Sequence, residues 1–388
     1  MNPKITVMTP YYNDQDFLAN AIESVLKQTY PNWELILCNH ASTDDSRHIA
    51  HSFQDKRIKH VDMPKNYGAG GGLVFETMLN ASTGKYVKPL CADDALKPNC
   101  LEKMVCFLEN NPKLDFAFCD IAYVDEFGKD LKNTWFNARP DFSIQNDEIK
   151  LLKLYRKGIQ TLPYIGSIVR RKALLNIHYD PSLIMLFDMS IWLQLLLQNK
   201  KMAYIPDVLA DYRCHREQIS GLKNEQIAGR RSFFEFPIFH DFFAKCKDVS
   251  LIKKVFSDSQ YITQLKEEQD IPFIVYHAYF ANSEELIHCY KLHELLDNKE
   301  YRQHLIKVFG YDIDNYRKEY SYPRNMATSN KSVQKGFKNF RTKIYKKAPK
   351  ELNLFEITFL LSNRIFHILT LSRFRHRRKK DTKKKYSL

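Results

Sequence analysis

The chain has 388 residues, of which 44% are hydrophobic and 27% are charged, ordinary proportions for a soluble globular protein. Its formal charge of +14 is concentrated in residues 331–388, where eighteen lysines and arginines accompany three acids, so the preceding residues are close to neutral. Residues 1–5 lack the apolar core of a secretory signal, and no run of about 18 uncharged apolar residues follows, so we expect neither a signal peptide nor a membrane-spanning helix.

Short apolar runs alternate with amphipathic stretches through the first 125 residues. Apolar residues from Asp16 to Leu26 recur at helical spacing, whereas Ile5–Met8 is a continuous run typical of a buried strand. The pattern predicts strands at 5–8, 33–38, 58–61, 86–91 and 115–119, and helices at 16–26, 44–53, 73–79 and 98–108, the last opened by Pro98. This alternation predicts an α/β fold with a mostly parallel sheet covered by helices on both faces.

The pattern weakens between Asp125 and Asn146, which predicts loops with an antiparallel excursion. A helix at 149–155, a strand at 167–169, an apolar helix at 189–197 and a strand at 204–212 are predicted next. Beyond residue 224 the pattern predicts only helices, at 225–247, 249–256, 259–268, 274–281, 283–296 and 299–309. We therefore expect an α/β domain at 1–222, a helical domain at 223–325 and a basic tail at 326–388.

The eight cysteines form no C-x-x-C pair and have no regular spacing. Zinc sites place their ligands at characteristic short spacings, so a zinc site is not expected. We expect free thiols in a reducing, cytoplasmic compartment.

Polar loops follow three of the predicted strands: Thr9–Asn13, Asn39–Asp45 and Cys91–Asp94. Open α/β sheets bind ligands outside the carboxyl ends of their strands. We therefore expect the three loops to converge on one edge of the sheet and to bind a nucleotide there.

Two adjacent carboxylates, Asp93 and Asp94, stand at the end of an apolar strand. Mg²⁺ and Mn²⁺ prefer oxygen ligands and often bridge carboxylates to a diphosphate, so the pair is a candidate metal site. The pair also suits a turn that caps the helix beginning near Pro98. These two residues alone leave both interpretations open.

The glycine-rich stretch Gly68–Gly72 invites comparison with a dinucleotide-binding fingerprint. Leu73 stands where the third glycine is required, and the stretch does not follow the first strand. The spacing favours a flexible loop near the bound nucleotide instead, because glycine permits close backbone approach.

The longest stretches with a recognisable pattern are ITVMTPYYN at 5–13 and AIESVLKQTYPNWELI at 21–36. Together with STDDS at 42–46, GKYV at 84–87, and Asp93-Asp94 followed by Pro98, they resemble the opening of family-2 glycosyltransferases. The resemblance covers about residues 1–220. It implies a GT-A fold, a nucleotide-diphosphate sugar donor with a UDP-sugar weakly favoured, Mg²⁺ or Mn²⁺, and usually inversion at the anomeric carbon.

The family's motifs also imply roles for individual residues. Asp188, which opens the predicted apolar helix, would be the general base, although a carboxylate there also suits a helix N-cap. Arg213 would face the diphosphate or acceptor, and a salt bridge at the surface is the alternative for Arg213 and His215. The nucleotide would contact Thr9, Pro10, Tyr11, Asn13, Asn39, His40 and Asp93, and the metal would be held by Asp93, Asp94 and His215.

The chain departs from the family pattern at several of these positions. Asn39 and His40 replace an acidic pair of which the second acid bonds the base, so the preference for uracil is open. Cys91 replaces the first acid of the longer D-x-D-D pattern. Leu73 and Phe187 replace a common arginine and a common glutamate. These replacements bear more on which donor binds than on which type of reaction is catalysed.

The basic tail contains an apolar stretch at 355–371 between basic clusters at 335–350 and 373–385. This arrangement suits an amphipathic helix lying on anionic lipid at the inner face of the plasma membrane. Packing on the catalytic domain or a second subunit is the alternative. Nucleic-acid binding is disfavoured because no stacking aromatic platform accompanies the basic run.

Two functions follow from these observations. The first is a metal-dependent glycosyltransferase acting on a glycan or lipid-linked acceptor in surface-polysaccharide or glycolipid synthesis. The second, prompted by Asn39, His40 and Cys91, is a non-catalytic glycosyltransferase-like binding subunit, against which the presence of both Asp93 and Asp188 argues. The helical region is expected to bind the acceptor or to mediate oligomerisation.

Overall fold

The computed structural model describes residues 2–68, 71–138, 147–218, 225–283 and 286–321. The chain divides into two compact units, residues 1–310 and residues 311–388. The second unit is described only to residue 321 and contributes one helix.

One mixed sheet forms the centre of the first unit. Its order is β3-β2-β1-β4-β8-β6-β9-β5, with β7 paired to β6. Strands β3, β2, β1 and β4 are parallel, β6 and β9 are parallel, and β8 lies antiparallel between β4 and β6. The described strands are β1 (Ile5–Tyr11), β2 (Trp33–Asn39), β3 (Ile58–Asp62), β4 (Tyr86–Pro89), β5 (Ala95–Leu96), β6 (Phe116–Val124), β7 (Asp130–Thr134), β8 (Ser167–Arg170) and β9 (Met202–Arg213).

Helices cover this sheet. Every residue of β2 is buried, as expected for a strand covered on both faces. The amphipathic α1 buries Leu18, Ala21, Ile22 and Val25 against the sheet. The helices of the α/β part are α1 (Leu18–Leu26), α2 (Ser46–Ser52), α3 (Gly72–Ala81), α4 (Cys100–Asn110), α5 (Glu148–Arg156), α6 (Arg171–Leu174) and α7 (Phe187–Leu197).

The predicted helical C-terminal region is confirmed. Its described helices are α8 (Glu225–Ala244), α9 (Val249–Val255), α10 (Ile271–Ser283), α11 (Leu286–Asp297), α12 (Lys299–Phe309) and, in the second unit, α13 (Ile313–Ser321). The predicted helix at 259–268 was wrong, because this segment forms two short 3₁₀ turns. The Asp270 carboxylate accepts the backbone N–H groups of Lys266 and Glu267 as part of a capping box at the second turn, and α10 follows at Ile271.

Smaller differences have local causes. The two-residue β5 and the four-residue α6 are too short to produce a periodic pattern. Helix α4 begins at Cys100, after Pro98 and the N-cap Asn99.

Gly72 is required by packing, because an added Cβ would lie 2.9 Å from the carbonyl carbon of Tyr179. The close approach at this glycine is therefore to the protein's own backbone.

Several sequence predictions fall outside the described residues. The proposed boundary near residue 222 lies in the gap at 219–224, and residues 2–218 and 225–310 belong to the same compact unit. The basic tail at 326–388 also lies outside the described part. Within the described part, no helix is both long and apolar enough to cross a membrane.

Candidate active site

The loops after β1 and β2 meet, as the sequence predicted. The Asn13 side-chain oxygen accepts the Thr43 N–H at 2.8 Å, and the Asn13 N–H donates to Ser42 Oγ at 3.2 Å. Asn13 has a φ of 56°, a left-handed conformation that asparagine tolerates better than most residues. In the structure Asn13 therefore joins the two loops, and a contact with a nucleotide stays a prediction.

The residues of β1 predicted to line a nucleoside pocket are largely buried. Thr9 and Tyr11 are 1% and 2% exposed, and Tyr11 belongs to the hydrophobic core. Pro10 is half-buried, whereas the side chain of Tyr12 is 42% exposed. The accessible aromatic surface of this loop therefore belongs to Tyr12, which the sequence analysis did not select.

Asn39 and His40 make well-defined contacts in place of an acidic pair. Asn39 accepts the Ser42 N–H through Oδ1 and donates through Nδ2 to Asp62, both at 2.9 Å. The Nε2 atom of His40 accepts the Tyr67 N–H at 2.9 Å, which leaves the imidazole proton on Nδ1. Burial lowers the pKa of His40, so the ring is neutral at pH 7.

The loop after β4 gathers the predicted metal ligands. One ligand atom each of Cys91, Asp93 and Asp94 lies within 4.8 Å of the others. Asp93 Oδ2 lies 3.1 Å from Nε2 of His215, which follows β9. The structure thus brings together the three residues predicted to hold a metal, Asp93, Asp94 and His215, although His215 follows the two acids by more than 120 residues.

Asp94 is 1% exposed, and only one of its two carboxylate oxygens has a hydrogen-bond partner among the described residues. Its Oδ1 accepts the Arg213 backbone N–H at 2.9 Å, whereas the buried Oδ2 has no hydrogen-bond partner among the described residues. Burial and the neighbouring Asp93 charge raise the pKa of Asp94 well above its usual value. A divalent cation would relieve both effects, because it supplies a partner for the oxygen and positive charge for the pair.

The Arg213 side chain makes structural hydrogen bonds within the protein that were not predicted from the sequence. The buried guanidinium donates to the carbonyl oxygens of Asp93 and Glu126 at 2.8 and 3.0 Å, and to Asn20 Oδ1 at 2.9 Å. It also lies over the Phe17 ring. Arg213 therefore fixes the backbone of the acidic loop, and a contact with a diphosphate or acceptor stays a prediction.

Asp14 is a further acid at this edge that the sequence analysis missed. Burial raises the pKa of Asp14 to about 6, and the charges of Asp93 and Asp44 act in the same direction. Phe17, three residues on, packs against His215 with ring centroids 4.6 Å apart. Its position in the loop after β1, directly after the selected Asn13, is the sequence feature that could have identified Asp14 as a site residue.

Asp188 lies in the first turn of α7 and is half-buried. Its Oδ1 accepts the Met189 N–H at 2.7 Å, and its Oδ2 accepts a hydrogen bond from the Gln160 side-chain amide. Burial raises the pKa of Asp188 to about 7, and the Glu235 charge adds to this effect. Gln160 is 28 residues away in the chain and was not predicted.

Cys91 connects the two groups of acids. Burial raises the pKa of the Cys91 thiol, and the carboxylates of Asp94, Asp93 and Asp188 raise it further. Such an effect requires these carboxylates to be near the same sulfur. The acids at the end of β4 and at the start of α7 therefore share one region of the molecule.

Residues 6–176 match the model of the protein family described as glycosyl transferase family 2. The chain carries a family 2 glycosyltransferase domain. The match and the observed sheet confirm the predicted GT-A assignment and the expectation of a glycosyltransferase that uses nucleotide sugars. The matched segment contains Asp93 and Asp94, whereas Asp188, Arg213 and His215 follow it.

Proteins that resemble this chain are of moderate similarity to it. A putative teichuronic acid biosynthesis glycosyltransferase, TuaG of Bacillus subtilis, is 28% identical over 60% of this chain and 87% of its own length. An Escherichia coli UDP-Glc:α-D-GlcNAc-diphosphoundecaprenol β-1,3-glucosyltransferase is 28% identical over 58% of this chain and 82% of its own length. A solved structure of a Pyrobaculum calidifontis mannosyltransferase with GDP-Man and Mn²⁺ is 18% identical, with a TM-score of 0.46 over 84% of this chain and 88% of that one.

Proposed function

We propose that this glycosyltransferase moves a sugar from a nucleotide diphosphate to an acceptor hydroxyl with inversion, using Asp188 as the general base and a divalent cation held at Asp93. One observation carries the proposal: the half-buried Asp188 and the Asp93–Asp94 pair both act on the Cys91 thiol. The proposed base and the proposed cation site are therefore both near this sulfur. Direct displacement needs one group for the nucleophile and another for the leaving group.

The pKa of Asp188 suits a general base near neutral pH. A carboxylate whose pKa is about 7 is largely ionised above neutrality and still basic enough to take a proton from an alcohol as the new bond forms. The acceptor oxygen bonds to the anomeric carbon, its proton passes to Asp188, and the bond to the diphosphate breaks with its electron pair. Gln160 orients the carboxylate by donating to Oδ2.

The acidic loop fits Mg²⁺ or Mn²⁺. Asp93 and Asp94 offer oxygen ligands, including the unpartnered Oδ2 of Asp94, and His215 offers a ring nitrogen. The raised pKa of Cys91 keeps its thiol protonated, so the sulfur is a poor ligand. When bound, the cation supplies positive charge that stabilises the departing diphosphate.

The nucleoside is proposed to bind beside the loops after β1 and β3. Tyr12 and Tyr67 are 42% and 43% exposed and flank His40 with ring centroids 6.4 and 6.1 Å from it. Exposed aromatic rings bind nucleobases by stacking. A UDP-sugar is the first donor to test, because the Escherichia coli relative is named for UDP-Glc.

The acceptor is proposed to be a glycan or a lipid-linked sugar of a cell-surface polysaccharide. The names of the Bacillus subtilis and Escherichia coli relatives support this class of acceptor. A lipid-linked acceptor agrees with the proposed attachment of the basic tail to the cytoplasmic face of the membrane. Oligomerisation through the helical region is a separate proposal that needs its own measurement.

The experiment is a donor panel with the full-length protein and Mn²⁺, scored by nucleotide release with and without lipid-linked acceptors. We expect one donor to turn over and Asp188→Asn to lower kcat by about a hundredfold or more, with nucleotide affinity unchanged. Asp207→Asn is the matched control, because Asp207 is a half-exposed acid paired with Lys103. Turnover of no donor, with equal nucleotide binding by wild type and Asp188→Asn, would support the non-catalytic binding subunit instead.

A further inference from the structure

The segment that leads into the Asp188 helix is held by a residue from the helical region. Helix α7 has Leu186 at its N-cap position, and no local side chain caps it. Instead, Oε2 of Glu235 in α8 accepts the backbone N–H groups of Met185 and Leu186, each at 2.8 Å. The two contacts span 50 and 49 residues of sequence.

Burying a carboxylate costs free energy unless other groups compensate its charge. Glu235 is 5% exposed, and no lysine, arginine or histidine whose side chain the structure describes forms an ion pair with it. The carboxylate is instead compensated by two N–H donors and by the positive end of the α7 dipole. A serine or aspartate at residue 186 would cap the helix locally without burying a distant acid.

We propose that Glu235 is a positioning residue that fixes the backbone from which the base projects and thereby couples the C-terminal helical region to the active site. The inference rests on the proposed function, because it assigns Glu235 a role only through Asp188. Met185 and Leu186 precede Asp188 by three and two residues, so the two N–H bonds restrain the turn that aims the carboxylate. Gln160 restrains the same carboxylate directly, because its side-chain amide donates to Asp188 Oδ2.

The electrostatic surroundings of Asp188 agree with this geometry. Cys91, Tyr155 and Tyr164 face it from neighbouring elements, and each has a pKa raised mainly by burial and further by the Asp188 charge. Those groups are neutral at pH 7, whereas the Glu235 carboxylate raises the pKa of Asp188 through its charge. Removing that charge lowers the pKa of Asp188, because a nearby negative charge favours the protonated acid.

Two variants separate the positioning role from simple helix capping. Glu235→Ala removes the acceptor of both N–H groups, whereas Glu235→Gln keeps an acceptor oxygen and removes only the charge. The matched control is Asp248→Ala. Asp248 caps α9 by accepting the Leu251 N–H at 2.8 Å, and it contacts Asn199 beyond the opposite end of α7.

The test combines hydrogen exchange of peptides covering 184–190 with pH–rate profiles of the full-length protein. We expect Glu235→Ala to exchange about tenfold faster in this segment and to lose about tenfold in kcat, with a smaller change in donor KM. Glu235→Gln should retain most of the protection and move the acidic limb of kcat/KM down by roughly half a pH unit. Asp248→Ala should change neither readout.

Two outcomes would overturn the inference. The first is unchanged exchange in residues 184–190 of Glu235→Ala, which would show that the contact does not order the segment. The second is a loss of stability equal to that of Asp248→Ala, with kcat and the acidic limb as in wild type, which would reduce Glu235 to a helix cap. A wild-type protein inactive with every donor would contradict the proposed function instead, and the exchange data would still support or overturn the contact.

Discussion

The two sides of the candidate site are built differently. At the end of β4, Asp93 and Asp94 repel each other. Arg213 holds the loop through the Asp93 carbonyl oxygen and Asp94 Oδ1, but its charge does not cancel the effects of burial and Asp93, which raise the pKa of Asp94. At the start of α7, Asp188 stands apart and is held by Gln160 and by the segment that Glu235 restrains. We propose that the first arrangement binds an external cation, whereas the second provides a proton acceptor whose pKa is raised by burial. Closely spaced and isolated acids can therefore serve opposite halves of one reaction.

The largest effect that would sharpen this contrast is expected from Asp93→Asn. The substitution removes a carboxylate charge and keeps the shape, so Mn²⁺-dependent transfer should fall by about a hundredfold or more. Thermal stabilisation by nucleotide diphosphate with Mn²⁺ should also be lost, because the cation links the two. Asp188→Asn should keep that stabilisation. Equal Mn²⁺-dependent stabilisation in Asp93→Asn and wild type would mean that the metal binds elsewhere.

Arg213→Met tests whether the acidic loop depends on its backbone clamp. Losing charged hydrogen bonds to two carbonyls and an amide should cost about 2–4 kcal/mol in urea unfolding and weaken Mn²⁺ binding. The control is Arg170→Met, since Arg170 is also buried and donates to the carbonyls of Leu108 and Leu114. It should lose similar stability with unchanged Mn²⁺ affinity. If both variants bind Mn²⁺ like wild type, the clamp has no role in the cation site.

Gln160→Leu tests the restraint on the base. The Gln160 hydrogen bond stabilises the ionised carboxylate and lowers the pKa of Asp188, so its removal should raise that pKa above about 7. The acidic limb of kcat/KM should move to higher pH, with roughly a three- to tenfold loss of rate at pH 7. Gln194→Leu in α7, which breaks comparable bonds to the His178 backbone, should leave the limb in place. A limb that moves to lower pH would contradict the assignment.

The smallest effect concerns stability. Because the pKa of Asp188 rises from 3.8 in the unfolded chain to about 7 in the folded protein, the folded state binds more protons between these values. Its contribution to stability is therefore present at low pH and is lost as the pH rises toward and through 7. Relative to wild type, the stability of Asp188→Asn should therefore rise by about 1–2 kcal/mol between pH 6 and pH 8. Urea unfolding at both values checks this, and a constant difference would contradict the raised pKa.

The features that were predictable from the sequence are those encoded locally. Periodicity located β1, α1 and α7, and the rule for strand ends selected Asp93 and Asp94. We selected Tyr11 and not Tyr12, whereas Tyr11 is buried and Tyr12 is exposed. A strand buried on both faces shows no alternation of apolar and polar residues that would tell which side chain reaches the surface.

Other features depend on contacts between distant residues. Gln160 and Glu235 reach Asp188 or its helix across 28 and about 50 residues, and nothing in their own neighbourhoods marks them. Arg213 was selected from a family motif, but its use as a backbone clamp follows only from the pairing of β6 with β9 and the turn at 125–128. The segment at 259–268 was mistaken for a helix because the capping by Asp270 overrides its composition.

The most direct test of the account is a crystal structure with Mn²⁺ and the nucleotide diphosphate that the donor panel identifies, with the metal located by anomalous scattering. The account predicts an anomalous peak within bonding distance of an Asp93 oxygen, with the Asp188 carboxylate facing the same cavity on the far side of the diphosphate. A metal bound away from residues 93, 94 and 215, or an Asp188 carboxylate directed into a different part of the protein, would contradict it.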